Sequence, residues 1–522
     1  MLELFSSSKE EKNCLLTDSA GETLFAECAE DFVLPDYLPE IRKLIRVDAL
    51  PVSTGHFVGS EEVEFAGQVR YTLLYTDAEG KLTSVPLHTD YVYRACHSGA
   101  PLTVAYYEYI EGLQCRPAGP RKLSIRCRVC AKPHLYAEKA AQKTLDALLP
   151  EGVTFEALAY RTESARVVSH FSDEYGEEVL FQIEGKDAEV LSVKTAEAAL
   201  LIENLRAEDG RIFCRGSMHV SLLLSDGASL FTQSRRLSFE TELSEEGVLK
   251  GDSLLAFGRL RSIECDVRKT ETGAEICVLP SFILLAEAWR NEPVTLYTDA
   301  YAEGYSLSIA SKPVKSLRLL GTARGSFTVS GEMAIQEDGA VLLPLSAKLL
   351  PISSLLSVSE NQLTVSGECK ASVLLERQEE EAILCSEATL SFPFRLTMTM
   401  PDALLQTDEI EYVLEPLFAS VKIDKGTLSV VGELALSVRA LRSEQISVPE
   451  KIDAEALPTD KGENDIRIYY PTPKDSLWSV GKRYNVSLAS LLAANDIPSE
   501  ISTELDNPKS LDGVAWLLVR AL

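Results

Sequence analysis

A glycine that recurs at nearly equal intervals, each time opening the same short pattern, constrains this chain more than anything else in it. The segments Phe65-Ala-Gly67-Gln-Val-Arg-Tyr-Thr-Leu-Leu74, Cys214-Arg-Gly216-Ser-Met-His-Val-Ser-Leu-Leu223 and Val365-Ser-Gly367-Glu-Cys-Lys-Ala-Ser-Val-Leu374 align, with glycines 149 and 151 residues apart. A second landmark lies 20, 21 and 23 residues further on: Leu87 to Tyr93, Leu237 to Leu243, and Leu390 to Leu396. A late strand pair adds a third, at Lys122-Leu-Ser-Ile and Thr427-Leu-Ser-Val. Offsets kept in three places indicate a triplicated unit, and a missed repeat would mis-assign the whole fold. The expected division is 21–150, 160–292 and 305–445 for the repeats, 446–463 for a linker and 464–522 for a terminal module.

Within each repeat the pattern alternates. Val69, Tyr71 and Leu73 share one face and Gln68, Arg70 and Thr72 the other, the period of a half-buried strand. Asp77-Ala-Glu-Gly80, Glu208-Asp-Gly210 and Asp424-Lys-Gly426 supply hairpin turns. The expected fold is mainly β, three sandwich-like units in tandem. The recurrent glycine predicts a bulge or a close backbone approach. The Ala-rich stretch from Tyr136 to Leu149 reads as a connecting helix, and Val448 to Asn464, rich in charge and breakers, as a linker.

A chain of 522 residues exceeds what one core can hold, so several domains are required. Its net charge of −28 repels phosphate backbones and anionic lipid, which disfavours nucleic-acid binding and membrane adsorption. Almost all of that charge sits in the body, since 464–522 carries 7 acidic and 6 basic residues. The opening residues show neither a basic n-region nor an apolar run, and no stretch approaches a membrane span. Eleven scattered cysteines suit a reducing compartment better than a disulfide framework. A cytoplasmic location follows as the expectation.

The terminal module reads as a strand (Ile466, Ile468 and Tyr470 alternating with Asp465, Arg467 and Tyr469), two helices and a closing strand, Val514 to Val519. The first helix carries Leu477, Val480 and Tyr484 on one face, with Asp475 or Ser476 as cap; the second runs from Ser487 to Ala494 and buries Leu488, Leu491 and Leu492. This βααβ layout, with Asp475-Ser-Leu-Trp-Ser-Val480, Arg483-Tyr-Asn-Val-Ser487 and Leu491-Leu-Ala-Ala-Asn495, resembles a LysM domain. By that resemblance the binding groove lies between Lys474, Asp475, Ser476, Leu477 and Trp478 on one side and Asn495, Asp496, Ile497 and Pro498 on the other. Lys474 stands where the family usually has glycine, and Gly513-Val514 where it has Gly-Gln, changes that disfavour an N-acetylglucosamine ligand. Val514, Trp516 and Trp478, with Ile466 beside them, form instead an apolar surface for a protein partner, aromatic anchors being common in interface hot spots.

Repeated β-rich units followed by one LysM-like module resemble clostridial spore-coat morphogenesis proteins of the SipL type, whose repeats are SPOCS domains. Leu34-Pro-Asp-Tyr-Leu-Pro-Glu-Ile-Arg-Lys-Leu-Ile-Arg-Val-Asp-Ala49 looks like the family's opening signature and Gly67 to Tyr75 like its first strong strand. The resemblance implies a scaffold made in the mother-cell cytoplasm and recruited to the forespore outer surface. There the LysM-like module would bind SpoIVA, the polymerising coat ATPase, and the repeats would contact other spore coat proteins. The alternative is a peptidoglycan or N-acetylglucosamine binder of cortex or wall.

Catalytic patterns are weak. Cys127-Arg-Val-Cys130-Ala-Lys-Pro-His134, with Cys115, has zinc-like spacing, but on a strand Cys127 and Cys130 leave opposite faces. The six histidines lack a nucleophile motif, and no phosphate-cradling glycine loop occurs. The expectation is no enzyme, no cofactor and no metal.

Overall fold

In a computed structural model the protein is mainly β, with two short α-helices among the described residues. These residues are 14–18, 23–97, 103–149, 153–335, 341–378, 383–457, 465–495, 511 and 514–521. None of the helices among them is long and apolar enough to cross a membrane.

The first unit contains β1 (Cys14–Asp18), β2 (Leu24–Val33), β3 (Lys43–Val58), β4 (Glu62–Thr76), β5 (Leu82–Cys96), β6 (Thr103–Pro117) and β7 (Lys122–Ala140). The second contains β8 (Phe155–Gly176), β9 (Val179–Glu184), β10 (Ser192–Glu208), β11 (Arg211–Ser225), β12 (Leu230–Ser244), β13 (Ser253–Lys269) and β14 (Gly273–Ala302). The third contains β15 (Tyr305–Ala334), β16 (Val341–Ser359), β17 (Gln362–Gln378), β18 (Ile383–Thr399), β19 (Glu409–Asp424) and β20 (Thr427–Ala456). One topology recurs. A three-stranded meander (β3-β4-β5, β10-β11-β12, β16-β17-β18) faces a second sheet made by a late hairpin (β6-β7, β13-β14, β19-β20) whose last strand pairs with the unit's opening strand. Each unit buries its own core between the two sheets, and a fully buried leucine there contributes roughly 1.5–3 kcal/mol.

The recurrent glycine occupies the middle strand of each meander. Gly67, Gly216 and Gly367 face Tyr91, Phe239 and Phe394 on the following strand. The preceding strand is bulged beside each of them, at Ser53/Gly55, Ile202/Asn204 and Pro351/Ser353. A Cβ at Gly216 or Gly367 would be driven into the backbone carbonyl of Leu201 or Ser353, and at Gly67 into the Tyr91 ring. The glycine therefore admits a bulge of the preceding strand on one side, as the sequence pattern predicts, and an aromatic lid on the other, which it does not. The turn at Lys425-Gly426, both with positive φ, has the form expected of a two-residue hairpin.

The units close into a ring. β5 packs on β10, β12 on β16, and β18 returns to β3. Equivalent residues meet at the centre: Leu74, Leu223 and Leu374, each seven residues beyond its glycine, join one apolar cluster. Asp48, Glu197 and Lys348 face Thr72, Ser221 and Ser372 and so hold one position in the three copies. Lys348 reaches Asp48 at 2.8 Å and Glu197 at 2.9 Å. Burial opposes ionisation of Asp48, and Lys348 and Arg46 outweigh it, leaving the carboxyl below its usual range. At the second layer Tyr136, Trp289 and Leu441, again equivalent, pack with Leu16, Ala165 and Leu319.

Three expectations are corrected. Tyr136 to Ala140 is not helical but the end of β7, because β1 pairs with it along its whole length; only a 3₁₀ turn, Leu145–Ala147, remains of the expected helix. Val448 to Ala456 is not linker but the end of β20, paired with β15, with Val448 and Ile452 buried. Likewise β14 runs past residue 292 to Ala302. In each case long-range strand pairing overrides local composition.

Candidate partner-binding surface

The terminal module comprises β21 (Asp465–Tyr469), α1 (Leu477–Tyr484), α2 (Leu488–Asn495) and β22 (Leu517–Ala521), with β21 and β22 antiparallel. The closing strand starts three residues later than expected, since the Val514 amide is spent on the Leu511 carbonyl in a turn. Ser476 caps α1 in a reciprocal box with Ser479, and Asn485 ends the helix with φ +55°. Ser487 Oγ accepts from the Ser490 amide at the start of α2.

Most of the residues expected to line a groove are engaged internally. The Asp475 carboxylate accepts from the Tyr469 hydroxyl (2.6 Å) and from the Thr472 amide (2.8 Å) and hydroxyl (2.7 Å), with Arg483 at 3.3 Å. The Tyr469 hydrogen bond, with Thr472 and Arg483, outweighs burial and holds this carboxyl down at about 2. A depressed carboxyl stabilises the fold above its unfolded value near 4 and loses that contribution as pH falls through about 2. Asp475→Asn is therefore expected to flatten the acid limb of the module's unfolding between roughly pH 4 and 2, monitored by tryptophan fluorescence.

Ser476 is the cap, Leu477 is core, and Trp478 is buried to 3 % exposure, which corrects the expectation that it offers a contact. Asn495 donates to the Leu491 and Leu518 carbonyls and so ties α2 to β22. Lys474 is exposed and Val514 half-buried; Asp496 and Ile497 lie outside the described residues.

Trp478 packs in the module's own core and against the body. Its ring meets Tyr301 of β14 edge-on at 5.0 Å, and the Tyr301 hydroxyl donates to the Val486 carbonyl at 2.9 Å. Lys482 pairs with Asp299, and the Leu488 amide donates to Glu156 at 3.2 Å. Gly481 permits the approach, since a Cβ there would strike the Tyr301 hydroxyl. The helix side of the module is thus seated on the end of β14.

The opposite side is free of such contacts among the described residues. Tyr469, Leu517 and Val519 turn toward the helices. Ile466 (55 % exposed), Ile468 (59 %), Tyr470 (69 %) and Trp516 (53 %) are left on the outside. Of these, Ile466 and Trp516 belong to the partner surface expected from the sequence; Ile468 and Tyr470 do not, although the Ile466/Ile468/Tyr470 alternation sets all three on one face. A two-stranded sheet with helices on one side leaves its other side to water or to a partner, and contiguous exposed apolar groups mark interaction sites.

A second polar constellation lies where the three units meet. Arg439 of β20 pairs with Glu287 of β14 at 2.8 Å and with Glu411 of β19, over the Trp289 ring at 4.5 Å. Trp289 Nε1 donates to Glu287 at 3.0 Å. His134 of β7 bridges Asp18 (Nδ1, 2.8 Å) and Glu411 (Nε2, 3.0 Å). Ligand-type atoms of Asp18, His134 and Glu411 come within 4.8 Å of one another. The two carboxylates face opposite ring nitrogens, and Arg439 with Lys132 already neutralises Glu411, so the donor set fits a hydrogen-bonded bridge better than a metal. Burial opposes ionisation of Glu411, and Arg439, His134 and Lys132 together hold it below the usual range. The zinc-like spacing does not assemble: Cys127 lies in the sandwich core, while the Cys130 thiol points at Glu111 on the other face.

No family model, no curated protein and no solved structure matches this chain.

Proposed function

We propose that the chain is a non-enzymatic scaffold whose terminal module captures a protein partner with its outer sheet face while its helix side stays seated on the body. The observation that carries this is the row Ile466, Ile468, Tyr470 and Trp516, apolar and open, on a module whose supposed groove residues Asp475, Ser476 and Asn495 are spent on internal hydrogen bonds. Read with the resemblance noted from the sequence, the module is LysM-like and the three sandwiches are SPOCS-like. The partner is then the SpoIVA-type coat ATPase, and other spore coat proteins attach to the ring of repeats. The place of action is the mother-cell cytoplasm, at the forespore outer surface. A body carrying nearly all of the −28 charge supports protein partners over nucleic acid or anionic membrane.

The test uses the full chain, because the module shares a core with Tyr301. Capture of the purified ATPase is expected to fall at least 10-fold for the pair Tyr470→Asp and Trp516→Asp, about 1.4 kcal/mol or more, with unchanged thermal unfolding. Undiminished capture would remove the outer face from the proposal. Saturable sedimentation with purified peptidoglycan, lost in the same variant, would favour the glycan reading, since exposed Tyr and Trp can also stack on sugar rings.

A further inference from the structure

The scaffold reading makes no use of the thiols, yet two of them are placed for chemistry. Cys28 on β2 and Cys127 on β7 are directly opposite in the antiparallel register, both free and both buried in the first unit's core. Directly opposed residues of such a pair have Cα atoms about 4.5–5.5 Å apart, inside the range a disulfide spans. Among the described strand registers no other two cysteines oppose each other. Cys265, for instance, faces Val278 while Cys277 faces Asp266, so their side chains leave opposite sides of the sheet. β2 is also an outer strand, with Phe25 and Val33 exposed and β7 its only partner among the described strands.

We propose that Cys28 and Cys127 form a redox site that closes to a cross-strand disulfide by exchange with an oxidised low-molecular-weight disulfide. One protein thiolate attacks a sulfur of the small disulfide, breaking its S–S bond, forming a mixed disulfide and expelling one small thiolate. The second protein thiolate attacks the protein-side sulfur of the mixed disulfide and expels the other. The two protein thiols lose two electrons and two protons, and the small disulfide leaves as two thiols. Burial, and then Cys28 beside it, pushes the Cys127 thiol up to about 12, and burial raises Cys28 as well. Thiolate is therefore scarce in the closed sandwich, and exchange waits on the fraying of β2. Once formed, the bond pins the opening strand of the first unit across a loop of about 100 residues.

The test treats the full chain with oxidised glutathione, with and without sub-denaturing urea, then alkylates and maps peptides without reduction. The expected product is a Cys28–Cys127 linked peptide, lighter by two hydrogens, formed faster in urea and reversed by reductant. It is accompanied by a thermal midpoint raised by roughly 5 °C. Cys28→Ala and Cys127→Ala, made separately, each lose both the link and the shift, so a folding defect in one leaves the other to report. The proposal is overturned if both cysteines remain alkylatable or stop at mixed disulfides, or if the link appears only after complete unfolding. Because the readout is independent of partner capture, its failure leaves the scaffold reading standing.

Discussion

Replacing Arg439 with leucine is expected to destabilise the ring by about 3–5 kcal/mol, measured by urea unfolding of the full chain, a larger loss than any surface ion pair in the molecule would give. Arg439 is almost wholly buried and answers two carboxylates from different units, Glu287 of the second and Glu411 of its own. Removing the guanidinium leaves both without their main counter-charge in a site that Trp289 and Tyr136 keep dry. Restoring neutrality should recover much of the loss: the triple change Arg439→Leu, Glu287→Leu and Glu411→Leu is expected to be milder than Arg439→Leu alone. A buried ionic network costs most when half of it is removed. If the single variant unfolds like the parent, the junction is not what joins the three units.

The second large effect is expected at Gly367. Gly367→Ala should cost about 3 kcal/mol, as overpacking against backbone does when the neighbour cannot rotate away. The added Cβ would lie 2.8 Å from the Ser353 carbonyl carbon and closer still to its oxygen, with the Phe394 ring at 3.0 Å on the other side. Gly67→Ala should be milder, because the obstacle there is the far end of the Tyr91 side chain, which can swing. Thermal unfolding of the two variants side by side gives the comparison. Equal losses would mean that the lid, rather than the bulge, sets the need for glycine.

The strands of the three meanders were legible because they are written in local pattern: the glycine, the alternation beyond it and the landmark 20 to 23 residues later are all short-range marks of one meander. What could not be read is whatever depends on pairing across the chain. Ala-rich Tyr136 to Ala140 and charged Val448 to Ala456 look helical and loose in isolation, and become strands only because β1 and β15 lie beside them. The same applies to the site. Trp516 and Ile466 are exposed, in keeping with the surface the sequence suggests, whereas Trp478 packs in the module's core and against Tyr301, 177 residues away, a contact no pattern within the module announces. Likewise Asp48, Glu197 and Lys348 are ordinary strand charges until ring closure brings equivalent positions together.

The contact of β18 with β3 alters how pieces of this molecule should be handled. A row of independent beads tolerates the loss of one, but a closed circuit does not. Excising the third unit would strip the neighbours from Ile45, Leu74 and Leu223 at once and leave Asp48 and Glu197 facing each other without Lys348. Fragments with one or two units would present raw greasy flanks and stick indiscriminately. Binding measured on them would report the wound rather than the protein.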